Sequence, residues 1–287
     1  MIQKIIQKIC EYRLILFSEF CTGLGLSMTF FKLLDYFYNS DTKCEIIKGT
    51  IIIIISVLYT YLHVLKKTDN ITLEINKRTK IYVHQADILQ SEGVRVIPVN
   101  EYFDTHLGDN IINPKSLHGQ FLSLFKGRID ELKQQIASQL LQKEKLPANR
   151  TRNLVPDLPQ DRYPLGTCIR IIDNEQIYIL VAITRFNSNE HVEVSTEEYP
   201  EIIRKMYDGI EQLCDGNTVN IPLVGSGISG YQLTNMQILD TMVRMANNID
   251  TLAITKGLHI CIFNKEQMKT LNLKIIKYLY DRWKYLK

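Results

Sequence analysis

The chain has 287 residues, 45% of them hydrophobic, and its formal net charge is +3. The length fits one or two domains, and a charge this small gives no reason to expect nucleic acid as a partner. The six cysteines are scattered and form no Cys-x-x-Cys pair, which argues against a zinc site or a disulfide framework and fits a reducing compartment.

Two long apolar segments open the chain, at residues 14–34 and 46–65. Each is close to the length of about 20 residues with which a helix crosses the hydrocarbon core of a bilayer. The first segment lacks the small-residue cleavage site of a signal peptide. The two segments therefore predict a transmembrane helical hairpin over residues 1–68, and the alternative is a buried or interfacial helical hairpin.

Basic residues flank the outer ends of this hairpin. Lys4, Lys8 and Arg13 precede the first segment, and Lys66 and Lys67 follow the second, whereas the connecting loop is more acidic than basic. Because lysine and arginine favour the cytoplasmic side of a membrane, we expect a multi-pass protein with both termini in the cytoplasm.

One face of the first apolar segment carries small residues. They are Ser18, Thr22, Gly25 and Thr29. Small residues allow membrane helices to pack closely. We expect this face to pack on the second helix of the same chain, and the alternative is a contact between copies in an oligomer.

From residue 69 onward the pattern changes to alternating strands and helices. Strands are predicted at 72–75, 80–85, 95–100, 167–173, 176–186, 218–223 and 258–263, and helices at 117–144, 195–214, 231–248 and 264–286. This alternation predicts an α/β domain with a mixed sheet between helices over residues 69–287. Pro98 is expected to mark an edge strand or a strand end. The proline-rich loop 146–166 is longer than most connections, which suggests a functional role.

The stretch PLVGSGISG at 222–230 joins a predicted strand to a predicted helix. A glycine-rich turn exposes backbone N–H groups, and the start of a helix adds partial positive charge, so one interpretation is a phosphate site. The alternative is a structural loop in which Ser229 caps the helix. The spacing matches neither a P-loop nor the dinucleotide-binding fingerprint.

Three short segments resemble the ligand-binding elements of macro domains, the ADP-ribose-binding fold, and occur in the same order. HQADI (84–88) is similar to the segment whose aspartate reads the adenine. VIPVN (96–100) is similar to the strand that ends in an asparagine beside the distal ribose, and PLVGSGISG is similar to the loop that holds the diphosphate. The resemblance implies a macro domain over 69–287.

The resemblance also implies which residues bind the ligand. Asp87 would accept from the adenine amino group, with Ile88 beside the ring, and Asn100 would reach the ribose. The full implied set is Asp87, Ile88, Asn100, His118, Gly119, Gly225, Ser226, Gly227, Ile228, Ser229 and Gly230. From the residues alone, a helix cap is the favoured interpretation of Asp87 and a surface position that of His118, while Asn100 is equally well a turn residue at a strand end.

The stretch that follows Asn100 departs from the hydrolytic members of the resembled family. Those members have a triple-glycine loop after the asparagine, whereas residues 101–121 contain only Gly108 and Gly119. No distinctive acid–base pair or metal-ligand spacing appears elsewhere in the sequence. We therefore expect a binding protein without catalytic residues, metal ligands or a cofactor.

The apolar hairpin followed by a macro domain is similar to the layout of membrane-anchored macro effectors of type II Thoeris anti-phage defence. That resemblance implies an ADP-ribose derivative as ligand, with a His-ADP-ribose-type signal as one candidate, made by a TIR-domain partner. It further implies a homo-oligomer that acts on lipid in the bacterial inner membrane and leads to abortive infection. The alternatives are a membrane-anchored ADP-ribosylhydrolase and a reader of ADP-ribosylated proteins.

Overall fold

The computed structural model describes residues 13–37, 42–108, 111–147, 152, 158–186, 192–227 and 231–284. The chain divides into two compact units. One unit is Asp69–Leu271, and the other joins Met1–Thr68 to Asn272–Lys287. The first division of the chain falls after residue 68. Residues 272–287, which the sequence assigned to the α/β domain, group with the hairpin.

The hairpin consists of helix α1 (Arg13–Phe37) and helix α2 (Thr42–Thr60), which continues into a π-helical turn at Tyr61–Leu65. By length and composition both helices are candidate membrane spans, over Arg13–Asp35 and Ile46–Val64. Only 17% and 11% of their most apolar windows are buried, which is unlike the core helices of a water-soluble protein.

The contact between α1 and α2 uses a different face from the one predicted. A Cβ added to Gly23 would lie 3.1 Å from Ser56 Cα, and the hydroxyls of Ser27 and Ser56 are 3.3 Å apart. Three members of the predicted face are exposed instead: Thr22, Gly25 and Thr29. Gly23 and Ser27 are four residues apart and share a face, whereas Gly25 lies about 200° around the helix from Gly23. The expectation that the Gly25 face packs on α2 was therefore wrong.

The second unit is built on one mixed sheet. Its described strands are β1 Asn70–Glu74, β2 Lys80–Gln85, β3 Val94–Asn100, β4 Cys168–Asp173, β5 Gln176–Phe186, β6 Val192–Glu193, β7 Val219–Pro222 and β8 Leu258–Ile262. The order is β1-β2-β8-β7-β3-β5-β4, with β6 paired to β5. Strands β2, β8, β7, β3 and β5 are mutually parallel, and β1 and β4 flank them antiparallel. The carboxyl ends of five strands therefore meet at one edge of the sheet, where α/β proteins bind ligands.

The helices of the chain after the hairpin are α3 Leu117–Leu124, α4 Ile129–Leu140, α5 Tyr199–Leu213, α6 Asn235–Asn248, α7 Lys265–Lys269 and α8 Leu273–Lys284. The single helix predicted at 117–144 is two helices, because Gly127 adopts a left-handed φ of 82° between them. The predicted last helix is likewise divided between α7 and α8. Helix α5 begins four residues later than predicted.

Pro98 lies in the central strand β3, not at an edge or a strand end as predicted. Pro98 is in register with Val181 of β5, while the ladder from β3 to β7 ends at Arg95. On the β7 side Pro98 therefore lies beyond the last ladder pair, where a missing N–H breaks no strand pairing.

Helix α4 covers the outer edge of β4 with two glutamines. The Gln135 side chain donates to the Ile172 carbonyl and accepts from the Ile172 N–H, both at 3.1 Å. Gln139 accepts from the Arg170 N–H at 3.4 Å. These side chains occupy backbone groups that a further strand would need.

Helix α8 is attached to both helices of the hairpin. Asn272 Nδ2 donates to the Val64 carbonyl at 3.3 Å, and Lys274 donates to the Leu62 carbonyl. Near the other end of α8, Arg282 donates to Ser18 Oγ at 3.0 Å. Carbonyls in the last turn of a helix lack partners within it, so the π-helical turn offers acceptors that α8 uses.

Candidate functional site

A cleft of about 1340 Å³ opens at the carboxyl ends of the parallel strands. Its lining includes Asn100 at the end of β3, Thr184 and Phe186 on β5, Pro222 on β7 and Cys261 on β8. The loops after these strands and the start of α3 complete the walls. The position of the cleft follows from the parallel arrangement of the strands.

The glycine loop after β7 forms part of the wall with Gly225, Ser226 and Gly227. Gly225 has a left-handed φ of 90°, and a Cβ there would lie 3.1 Å from the Tyr231 ring. Gly227 is exposed, and a Cβ added to it would meet no atom of the described residues within 4 Å. The loop is thus held tightly at Gly225 and open at Gly227. The implied ligand residues Ile228, Ser229 and Gly230 lie outside the described residues.

Two buried tyrosines hold the glycine loop in place. The Tyr199 hydroxyl donates to the Val224 carbonyl at 2.7 Å, and the Tyr231 hydroxyl donates to the Ile183 carbonyl at 2.7 Å. The two rings pack edge to face, with centroids 4.9 Å apart. The protein itself therefore holds the loop backbone to α5 and β5.

The helix that follows the glycine loop starts later than predicted. Helix α6 begins at Asn235, and its N-cap is Thr234, whose hydroxyl accepts from the Gln237 N–H in a capping box. The alternative in which Ser229 caps this helix was therefore wrong, because the chain runs through residues 231–234 first.

Asp87 and Ile88 lie at the end of β2 in different environments. Ile88 is buried and lines the cleft. Asp87 is exposed, does not line the cleft, and caps the short 3₁₀ turn Ile88–Gln90 by accepting from the Leu89 N–H at 3.0 Å. In the structure Asp87 therefore acts as a cap, and of these two residues only Ile88 lines the cleft.

Asn100 lines the cleft, but its side chain is bound to the protein. Its Nδ2 donates to Asp104 Oδ2 at 2.9 Å, and its Oδ1 accepts from the N–H of Tyr102 at 3.1 Å. Asp104 in turn receives two hydrogen bonds from Arg152, at 2.8 and 2.9 Å, and both side chains are fully buried. The Arg152 guanidinium lies 3.9 Å from the centroid of the Tyr102 ring. A closed polar cluster therefore holds the turn that follows β3.

His118 lies in the first turn of α3, is buried and lines the cleft. Burial lowers the pKa of its imidazole to about 4, against the opposing effect of a hydrogen bond to the Asp104 backbone. The ring is therefore neutral at pH 7. Gly119 does not line the cleft. A Cβ there would come within 2.3 Å of the Asn113 carbonyl oxygen, so the role of this glycine is close packing.

Two residues that hold the walls of the cleft had no signal in the sequence. Arg152 belongs to the proline-rich loop whose length suggested a function, but nothing identified it as the partner of Asp104. Gln267 of α7 donates to Ser226 Oγ at 2.6 Å, a pairing across 41 residues that no local pattern predicts. The described residues contain no group of three or more side chains suited to hold a metal ion.

Comparison with known proteins gives a match that covers most of the cleft-lining residues. Residues 81–263 match the family model described as Thoeris protein ThsA, macro domain. A curated relative, Thoeris protein ThsA from Bacillus amyloliquefaciens (strain Y2), is 28% identical over 201 residues, which cover 68% of this chain and 65% of the relative. The chain thus spans slightly less than two thirds of the curated relative that it matches.

Solved macrodomains are similar to the chain at low identity. An Oceanobacillus iheyensis macrodomain with ADP has 12% identity and a TM-score of 0.46, covering 74% of this chain and 97% of that one. A Trypanosoma brucei macrodomain in complex with ADP-ribose has 12% identity and a TM-score of 0.41, covering 68% of each chain.

Proposed function

The chain belongs to the family described as Thoeris protein ThsA, macro domain, and from that premise we propose that its cleft senses a nucleotide containing ADP-ribose. The observation that carries this proposal is the glycine loop at the carboxyl end of β7. Its backbone is anchored at Gly225 and open at Gly227, which leaves room for a phosphate to approach main-chain groups.

The contacts of Asn100 fix the orientation of its carboxamide. Its Nδ2 donates to Asp104, its Oδ1 accepts from the N–H of Tyr102, and Asp104 is held by the buried Arg152. A side chain held in this way suits a binding site. What weighs against the ADP-ribosylhydrolase alternative is that residues 101–121 contain no triple-glycine loop.

The proposal extends to the hairpin. We assign it the role of an inner-membrane anchor and effector, which assembles in a homo-oligomer and disturbs the lipid bilayer when the cleft is occupied. The signal is an ADP-ribose derivative made by a TIR-domain partner, with a His-ADP-ribose-type nucleotide as one candidate. The length and exposed apolar surface of α1 and α2 support this part of the proposal.

The test is calorimetry on the full chain in detergent, with ADP-ribose as the probe. Saturable binding without turnover of the nucleotide is the expected result. Release of free ADP-ribose from an ADP-ribosylated protein would favour the hydrolase alternative. Binding to such a protein but not to free ADP-ribose would favour the reader alternative.

A further inference from the structure

The segment from Phe263 to Thr270 forms one wall of the cleft and then leads into α8. Its cleft-lining residues are Phe263, Asn264, Glu266, Gln267 and Thr270. Two residues further along, Asn272 begins the part of the chain that groups with the hairpin. The backbone that shapes the cleft is thus continuous with the backbone attached to the apolar helices.

Gln267 ties this wall to the glycine loop. Its Nε2 donates to Ser226 Oγ at 2.6 Å, and the Ser226 hydroxyl donates to the Leu223 carbonyl, also at 2.6 Å. On its own side, Gln267 Oε1 accepts from the Phe263 N–H at 3.2 Å, and the Gln267 N–H donates to Asn264 Oδ1 at 2.8 Å. Both ends of the carboxamide are therefore engaged, and a movement of the loop at Ser226 acts directly on α7.

The other end of the segment is tied to the hairpin. Asn272 and Lys274 bond to the carbonyls of Val64 and Leu62 in the π-helical turn that ends the second apolar helix. These two bonds join the start of α8 to the end of the second apolar helix.

We propose that residues 263–274 form a coupling segment that passes occupancy of the cleft to the hairpin. The inference rests on the proposed function, because it takes a nucleotide phosphate at Gly225–Gly227 as the input. A ligand that prefers one position of the glycine loop shifts Gln267 and α7 with it, and Asn272 and Lys274 transmit the shift to the end of α2. Such a ligand changes the hairpin only by the difference in its affinity for the two arrangements.

The chain offers its own reporter of this coupling. Trp283 is the single tryptophan of the sequence and belongs to α8. Full-length protein in lipid nanodiscs is titrated with ADP-ribose while tryptophan emission is recorded, and binding is measured separately by calorimetry. We expect an emission change that saturates in parallel with the binding heat.

Two variants separate coupling from binding. Gln267→Met keeps the length of the side chain but removes both of its hydrogen bonds, and Asn272→Ala removes one of the two bonds that attach the other end to the π-helical turn. At ligand concentrations that saturate each protein, both variants are expected to lose the emission change. Lys265→Ala, at an exposed position of the same helix α7, is the matched control and keeps it.

The outcomes distinguish the two proposals. Binding heat without any emission change in the wild-type protein overturns the coupling segment and leaves the sensor intact. Absence of binding heat overturns the sensor, and the coupling inference falls with it. If Gln267→Met cannot be saturated, Asn272→Ala decides, since an unchanged emission response in that variant contradicts the proposal.

Discussion

At Gly227 of the glycine loop a side chain would fit, but it would fill the space that a ligand needs. A Cβ there meets no atom of the described residues within 4 Å, whereas at Gly225 it would press on Tyr231 and Tyr199. The two glycines therefore have different roles in one loop. Gly225 is required by the left-handed backbone, and Gly227 keeps the surface accessible.

Replacing Gly227 with glutamate is predicted to abolish nucleotide binding without unfolding the protein. The new carboxylate brings bulk and negative charge to the place where phosphate would meet the backbone. Calorimetry with ADP-ribose measures the loss, and thermal melting checks the fold. Gly227→Ala is the matched control and should keep most of the affinity, so equal binding by the glutamate variant would show that the loop is only structural.

His118 is predicted to make stability depend on pH. Burial lowers the pKa of its imidazole to about 4, below the usual value of 6.5, so the unfolded chain binds a proton first as pH falls. The contribution of neutral His118 to the free energy of unfolding is therefore fully present above pH 6.5. It is lost as pH falls from 6.5 to about 4, by an amount on the order of 3 kcal/mol.

Denaturant unfolding across this pH range tests the prediction. His118→Gln should flatten the pH dependence, though only in part, because burial and the neighbouring His84 also lower the pKa of His259. His106→Gln, at a half-exposed site, controls for the loss of one histidine. An equal pH slope in wild type and His118→Gln would contradict the assignment.

At this scale the sequence located the cleft but not its internal bonds. The ends of β3 and β7 and the glycine loop are local features that a strand pattern followed by glycines can predict. The pairs Asp104–Arg152 and Gln267–Ser226 join residues 48 and 41 positions apart, and no periodicity brings such positions together. These pairs form because elements far apart in the sequence pack together, and a local sequence pattern does not predict that packing.

Among the elements, strands were predicted more accurately than helices. The macro-domain fold with a mixed sheet, preceded in the chain by two apolar helices, is confirmed, because the family match spans residues 81–263, from β2 to just past β8. The helix at 117–144 was predicted unbroken because its apolar periodicity continues across Gly127, and only the left-handed φ of that glycine ends the first helix. Helix α8 could not be assigned to the hairpin, since an amphipathic pattern does not identify the surface it packs against.

The two glycines of α1 are predicted to respond differently to substitution. Gly23→Leu should destabilise the hairpin, because even a Cβ would lie 3.1 Å from Ser56 Cα. Gly25→Leu should leave the hairpin intact, since a Cβ there meets nothing within 4 Å, and on our proposal it weakens assembly between copies. Thermal melting in detergent and size analysis in nanodiscs report the two effects. Equal melting temperatures for both variants would contradict the packing through Gly23.

For the whole molecule, the division into units predicts where binding and membrane action separate. Every residue that lines the cleft lies within Asp69–Leu271. A protein limited to residues 69–271 should therefore still bind ADP-ribose but have no effect on cells. Calorimetry and a growth assay after induced expression test both halves of this prediction. Toxicity equal to that of the full chain would remove the hairpin from the proposed mechanism.

The glutamines that cover β4 affect whether crowded copies of the chain can pair through their sheet edges. Proteins confined to a membrane collide far more often than the same number in solution, and a bare strand edge would let neighbouring sheets join by chance. With Gln135 and Gln139 already bonded to that edge, crowding alone offers no template there for sheet extension. On the proposed function, this edge gives neighbouring copies of the sensor no free backbone groups at Ile172 through which to pair.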